Sequence, residues 1–135
     1  MLESFGHVNI FAVIVAAISA FAVGGLWYSP KMFGKAWMEE MGFTEEDTPK
    51  NMGQVFALSF VFSLVAAFVF AWHLGPNPDV RYAVSSGILI GLAYVGMSYG
   101  INYQFGQKSA RLWLIDMLYH TVQFMIYGLV LGLWH

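Results

Sequence analysis

The sequence predicts an all-α, polytopic membrane protein with four transmembrane helices plus a short amphipathic interfacial helix. Two observations on composition and one on pattern carry that reading. Of 135 residues, 59% are apolar or aromatic and only 10% are charged, against roughly 45–50% and about 25% in a soluble domain. The charges also cluster, with Lys31, Lys35, Glu39, Glu40, Glu45, Glu46, Asp47 and Lys50 in one stretch. What remains is four apolar windows, 4–30, 51–78, 82–107 and 112–135, of which only the last holds a charge, Asp116. Each exceeds the about 20 residues that a spanning helix needs.

The same numbers exclude other classes. A net charge of −2 leaves no basic footprint for nucleic acid. Without cysteine there is no disulfide, thiolate nucleophile or thiolate metal site. The first apolar window lacks a basic leading segment and is too long for a secretion signal, so it is expected to be a retained helix.

Helix one is expected over about 8–28, ending at Ser29-Pro30, because proline disfavours the α conformation before it. The next segment, about 31–41, is too short and too charged to span. On a helix it places Phe33, Ala36, Trp37 and Met41 on one face and Lys31, Lys35 and Glu39 on another, the pattern of a helix lying among headgroups. Gly42 closes it, and Phe43 to Asp47 reads as acidic loop. Thr48-Pro49 then offers an N-cap and first-turn proline for helix two, about 53–73, which stops at Gly75-Pro76-Asn77-Pro78. Helix three is expected over about 80–105 and helix four over about 111–134, within a single four-helix domain spanning 1–135.

Lysine and arginine set the expected orientation. Lys31, Lys35, Lys50, Lys108 and Arg111 fall in the first and third connections, Arg81 alone in the second. That bias predicts an inner (cytoplasmic) membrane protein with connections 29–52 and 106–110 in the cytoplasm and both termini outside.

Small residues recur at four-residue spacing: Gly87 and Gly91, Gly96 and Gly100, Ala16, Ala20 and Gly24, Gly128 and Gly132. Such spacing lets helix backbones approach closely in lipid. It serves either packing within the bundle or a self-association face between copies.

Asp116 is the residue most suggestive of chemistry, since an intramembrane carboxylate is expensive and normally faces the bundle or a wet cavity. His120, Gln123 and Tyr127 follow at intervals that keep all four on one helix face. Matching depths from the helix ends nominates Tyr99, Asn102 and Ser59 as partners of Asp116, with Ser63 and Ser98 nearer His120. An Asp–His pair one turn apart can share or pass a proton. The alternative is a buried structural network, or Asp116 paired with Lys35 or Arg111.

His7, His73 and His135 share the outer side in this topology, and with Glu3 or Asp79 are a weak candidate metal set. No cofactor is expected. Trp27, Tyr28, Trp37, Trp72, Trp113 and Trp134 sit near helix ends, as an interfacial aromatic belt requires. No hydrolase elbow, phosphate loop or zinc-protease motif is present.

Two segments carry a family resemblance. Gly25-Leu26-Trp27-Tyr28-Ser29-Pro30 with Phe33-Gly34-Lys35-Ala36-Trp37-Met38 is the first; Leu112-Trp113-Leu114-Ile115-Asp116 with Tyr119-His120 and the closing Gly128 to Trp134 segment is the second. They resemble the signatures of domain-of-unknown-function family 1761, small integral membrane proteins. The resemblance implies four helices in a membrane and no particular activity. From depth alone, Trp27, Tyr28, Ser29 and Lys35 are expected to meet Asp116 and His120.

The function these features suggest is small-solute or ion permeation, proton-linked at Asp116 and His120, with Gln123, Asn102 and Tyr99 lining the site. The alternative is a non-catalytic structural or assembly protein acting through its glycine faces. An enzyme ranks below both, for want of a nucleophile and base. The bilayer is the expected partner. A homo-oligomer, a dimer or higher, is expected because one copy offers little interior for a solute path.

Overall fold

A computed structural model describes residues 2–135, with side chains from Phe5 onward. It is all-helical. A 3-10 turn, Leu2–His7, precedes α1 (Ile10–Trp27), α2 (Gly34–Met41), a second 3-10 turn (Glu45–Asp47) and α3 (Met52–Leu74). Then come α4 (Val80–Leu89), a π-helical segment (Ile90–Val95), α5 (Gly96–Phe105) and α6 (Ala110–Leu133). α4, the π segment and α5 run on as one helix, Val80–Phe105, so four helices are long and apolar enough to cross a membrane.

Local chemistry sets the helix starts. Asn9, Asn51, Asp79 and Ser109 each accept a backbone N–H from the first turn of α1, α3, α4 and α6, relieving donors that a helix leaves unpaired. The expected Thr48-Pro49 start is therefore corrected: Asn51 caps α3, while Thr48 ends the acidic 3-10 turn. The interfacial helix begins at Gly34 rather than at 31, because the chain first turns tightly after Ser29. Phe33 N–H returns to Trp27 O (2.9 Å) and Gly34 N–H to Ser29 O (3.0 Å). Only glycine fits at 34, where a Cβ would overlap the Tyr28 and Ser29 carbonyls. At the other end of α2, Gly42 takes the left-handed conformation (φ 73°) that closes the helix.

α6 is the central helix, packing on α1, α2, α4, the π segment and α5, and lightly on α3. The small residues make this possible. A side chain at Gly87 would overlap Phe124 O, at Gly91 the backbone of His120 and Thr121, at Gly128 Ala83 O, and at Gly132 Val80. Gly24 lies under the Tyr119 phenol, Gly96 against Met117 and Gly100 under the Trp113 indole. All seven packing glycines are thus engaged inside the chain. α1 packs on both α3 and α6, and Ala12, Ala16, Ala17, Ala67 and Ala71 are buried in one cluster with Phe70, Leu74, Tyr127 and Leu131.

Two of the tryptophans at the helix ends also bond to neighbouring helices. Trp27 Nε1 donates to Ile115 O (3.1 Å) and Trp113 Nε1 to Gly96 O (2.8 Å). Gly100 leaves the Trp113 ring room, and the carbonyl gives its indole N–H a partner.

Candidate functional site

α3 packs on α1 along its second half, where Ala67, Phe70, Ala71 and Leu74 are buried. Its first half is different: Val55, Phe56, Ser59 and Phe62 are exposed. There the helix stands off from α5 and α6, and two adjoining hollows open, of about 860 and 700 Å³. Tyr28, Val55, Phe56, Ser59 and Tyr99 border both. The larger also meets His120 and Gln123; the smaller meets Asp116, Tyr103, Lys35 and Trp37. The volumes fall within the about 300–1,000 Å³ usual for small-molecule sites.

Asp116 is 5% exposed. Its Oδ1 accepts the Tyr28 hydroxyl at 2.7 Å, and its Oδ2 accepts the Tyr103 hydroxyl. Two phenols donating to two oxygens is the arrangement that suits an ionised carboxylate, an acceptor only. Burial, and then the hydrogen bond and charge of Asp116, push the Tyr28 phenol above its ordinary range, so it remains a donor.

One turn along α6 a second polar chain begins. His120 Nε2 bonds the Tyr99 hydroxyl (3.1 Å) and Nδ1 bonds Gln123 Oε1. Gln123 Nε2 donates to the Tyr127 hydroxyl (2.7 Å), which donates to Ser63 O (3.2 Å) and lies 2.6 Å from Ser63 Oγ. With the Gln123 amide assigned this way, a neutral imidazole carries its proton on Nδ1 and accepts from Tyr99 at Nε2. Tyr99 joins the two chains by ring contact: it stacks on His120 (centroids 5.0 Å) and meets Tyr103 edge-on (5.5 Å).

Several expected partners of Asp116 are replaced. Tyr99 bonds His120 instead. Asn102 is exposed and borders neither hollow, since it lies on the outer face of α5. Ser59 borders both hollows without reaching Asp116, because α3 stands off there. Of the two serines expected nearer His120, Ser98 returns its Oγ to Tyr94 O on its own helix, while Ser63 bonds Tyr127. Arg111 pairs with Glu40 (3.4 Å) and Glu39 (3.8 Å) of α2 rather than with Asp116. Among the first-signature residues, Trp27 and Tyr28 reach α6 at Ile115 and Asp116, Lys35 and Pro30 border the smaller hollow, and Ser29 bonds Leu26 O.

The partner that residue reasoning missed is Tyr103. Its signal was there: Tyr99 and Tyr103 are four apart, on one helix face, opposite Asp116 and His120. The π segment, placed where Gly91 meets the His120–Thr121 backbone, was also missed. Such insertions recur at functional sites.

At the opposite end His7 and His135 border a hollow of about 10 Å³. His73 stacks on Phe70 instead. No three-residue group able to hold a metal forms among the described residues, and the Glu3 side chain lies outside them.

Four bilayer-length helices around a buried carboxylate and a half-buried imidazole define a small multi-pass membrane protein. The chain belongs to the family described as Protein of unknown function (DUF1761), whose model matches residues 11–132. Both signature segments lie essentially within that match. No curated protein and no solved structure matches the chain.

Proposed function

We propose that this protein binds and moves a small solute through the cleft between α3 and the α5–α6 pair, coupled to a proton at Asp116 and His120. One observation carries the reading: an acid and three phenols border one of two adjoining open hollows and an imidazole the other, among bilayer-length helices, rather than lying in a sealed core. Polar groups placed at such cost in a membrane mark solute or proton paths by default. The cleft lies within one chain, so the site needs no second copy. The assembly reading is weaker, because the glycines it would use are engaged inside the bundle. The excess of Lys and Arg at the α2 end favours placing the cleft mouth in the cytoplasm of an inner-membrane protein.

The test uses proteoliposomes loaded with a pH-sensitive dye and challenged with a panel of small organic solutes. At least one solute is expected to drive an internal pH change in the wild type that Asp116→Asn abolishes, with reconstitution and thermal stability retained. A panel that moves no protons through the wild type, or a flux indifferent to Asp116→Asn, overturns the proposal.

A further inference from the structure

The smaller hollow has an unusual lining for a membrane protein. Five aromatic side chains, Tyr28, Trp37, Phe56, Tyr99 and Tyr103, border it together with Asp116 and Lys35. Aromatic faces with a nearby carboxylate are the chemistry that recognises an ammonium group. A ligand bearing only a cation would, however, also face Lys35. That ammonium is exposed and forms no ion pair among the described residues, whereas Arg111 is held by Glu39 and Glu40. A ligand bearing only an anion would face Asp116. One negative and one positive side chain in the same hollow fit a head that carries both charges.

The adjoining hollow supplies the rest of the ligand. Phe21, Phe56, Phe62, Ala66, Val95 and Phe124 supply its apolar border, within the same hollow as His120 and Gln123. Its α3 side opens sideways, where Phe56 is 54% and Phe62 71% exposed, so an apolar chain can enter from the lipid. The smaller hollow lies beside α2 and carries both charged side chains, while the larger carries none and its phenylalanines share the border with Ser59, Ser63, His120 and Gln123. A charged mouth followed by an uncharged interior matches the head-to-tail order of a bilayer amphiphile.

We propose that the cleft binds a zwitterionic amphiphile. Its ammonium group sits among the tyrosines and Trp37 against Asp116, its phosphate or carboxylate meets Lys35, and its apolar chain lies along α3. The inference rests on the reading of the cleft as a solute site and names the class of that solute. The same head chemistry occurs in membrane lipids and in free zwitterions, and the sideways opening past Phe56 and Phe62 favours the lipid.

The test is ligand binding to protein purified in a maltoside detergent, read by tryptophan fluorescence. The probes are lysophosphatidylcholine, dodecyltrimethylammonium, dodecyl phosphate and tail-less glycerophosphocholine. Lysophosphatidylcholine is expected to bind about tenfold more tightly than either singly charged chain. Lys35→Gln, an exposed change that leaves the fold alone, is expected to weaken lysophosphatidylcholine about fivefold and to strengthen dodecyltrimethylammonium. Asp116→Asn is expected to weaken both by about tenfold or more. Glycerophosphocholine binding as tightly as its lipid assigns the site to a free zwitterion and overturns the lipid source. A singly charged chain binding as well as the zwitterion, with Lys35→Gln without effect, overturns the zwitterionic head but keeps the cleft as a solute site. Absence of any binding sensitive to Asp116→Asn overturns both readings.

Discussion

Away from α2, the core is rich in alanine and glycine: Ala12, Ala16, Ala17, Ala67 and Ala71 share one buried cluster, and Gly128 lies against the Ala83 carbonyl. Toward α2 they meet through tyrosine, tryptophan and histidine, and α3 stands off. In lipid no hydrophobic drive pulls helices together, so contact must come from close packing or from polar bonds between helices. The two ends each use one of these devices. Small side chains seal one end; long polar side chains prop the other open and find each other across the gap. The polar groups that bridge the ends, Tyr127 and Ser63, sit where the first device gives way to the second.

The largest effect is expected from breaking the sealed end. Gly128→Leu drives a side chain into the Ala83 and Val84 backbone, and should lower stability by about 2–3 kcal/mol, seen in thermal unfolding in detergent. Gly25→Leu, at a position where nothing crowds the missing side chain, should leave that transition nearly unmoved. At the junction, Tyr127→Phe strands Gln123 Nε2 and leaves the buried Ser63 hydroxyl only its long bond to Ala17 O (3.5 Å), for a loss of about 1–3 kcal/mol.

The open end should respond in function more than in stability. Asp116→Asn keeps the side-chain shape and one acceptor, so its cost should stay near about 1 kcal/mol, while solute-driven proton flux disappears. Lys35→Gln should lie within about 0.5 kcal/mol of the wild type. If Asp116→Asn unfolds the bundle as Gly128→Leu does, the two ends do not differ as described.

The smallest effect concerns alkaline pH. The Tyr28 phenol is held protonated more firmly in the folded chain than in the unfolded one. Its contribution is therefore complete below the ordinary phenol pKa of 10.0 and declines as pH rises beyond it. Tyr28→Phe should flatten the fall in thermal stability above that pH. An identical fall in wild type and variant would remove Tyr28 as a contributor.

Sequence showed the spans well because four charge-poor windows leave a membrane chain few alternatives. The observed spans Ile10–Trp27, Met52–Leu74, Val80–Phe105 and Ala110–Leu133 lie close to those expected. What it could not show was lateral spacing. Counting depth from the helix ends placed Tyr99, Asn102 and Ser59 level with Asp116, but depth says nothing of which face turns inward or how far α3 stands off. Hence Asn102 points out, Ser59 faces a hollow, and Tyr103 takes the bond. The π segment was illegible for a related reason: it forms where Gly91 meets α6, a contact that no local propensity encodes. Glycine spacing left open whether packing occurs within the chain or between copies, and the backbone contacts of Gly87, Gly91, Gly128 and Gly132 lie within it.

The central claim is that one end of the bundle is an accessible cleft and the other a sealed core. The chain has no cysteine, so a single introduced thiol reports its own surroundings. In reconstituted vesicles, Ser59→Cys and Ala67→Cys would be treated with a membrane-impermeant thiol reagent from either side. The account predicts that Ser59→Cys reacts from the side where α2 lies and is protected by a bound solute, while Ala67→Cys stays unreactive until the protein unfolds. Equal reactivity at the two positions, or none at Ser59→Cys from either side, would contradict it.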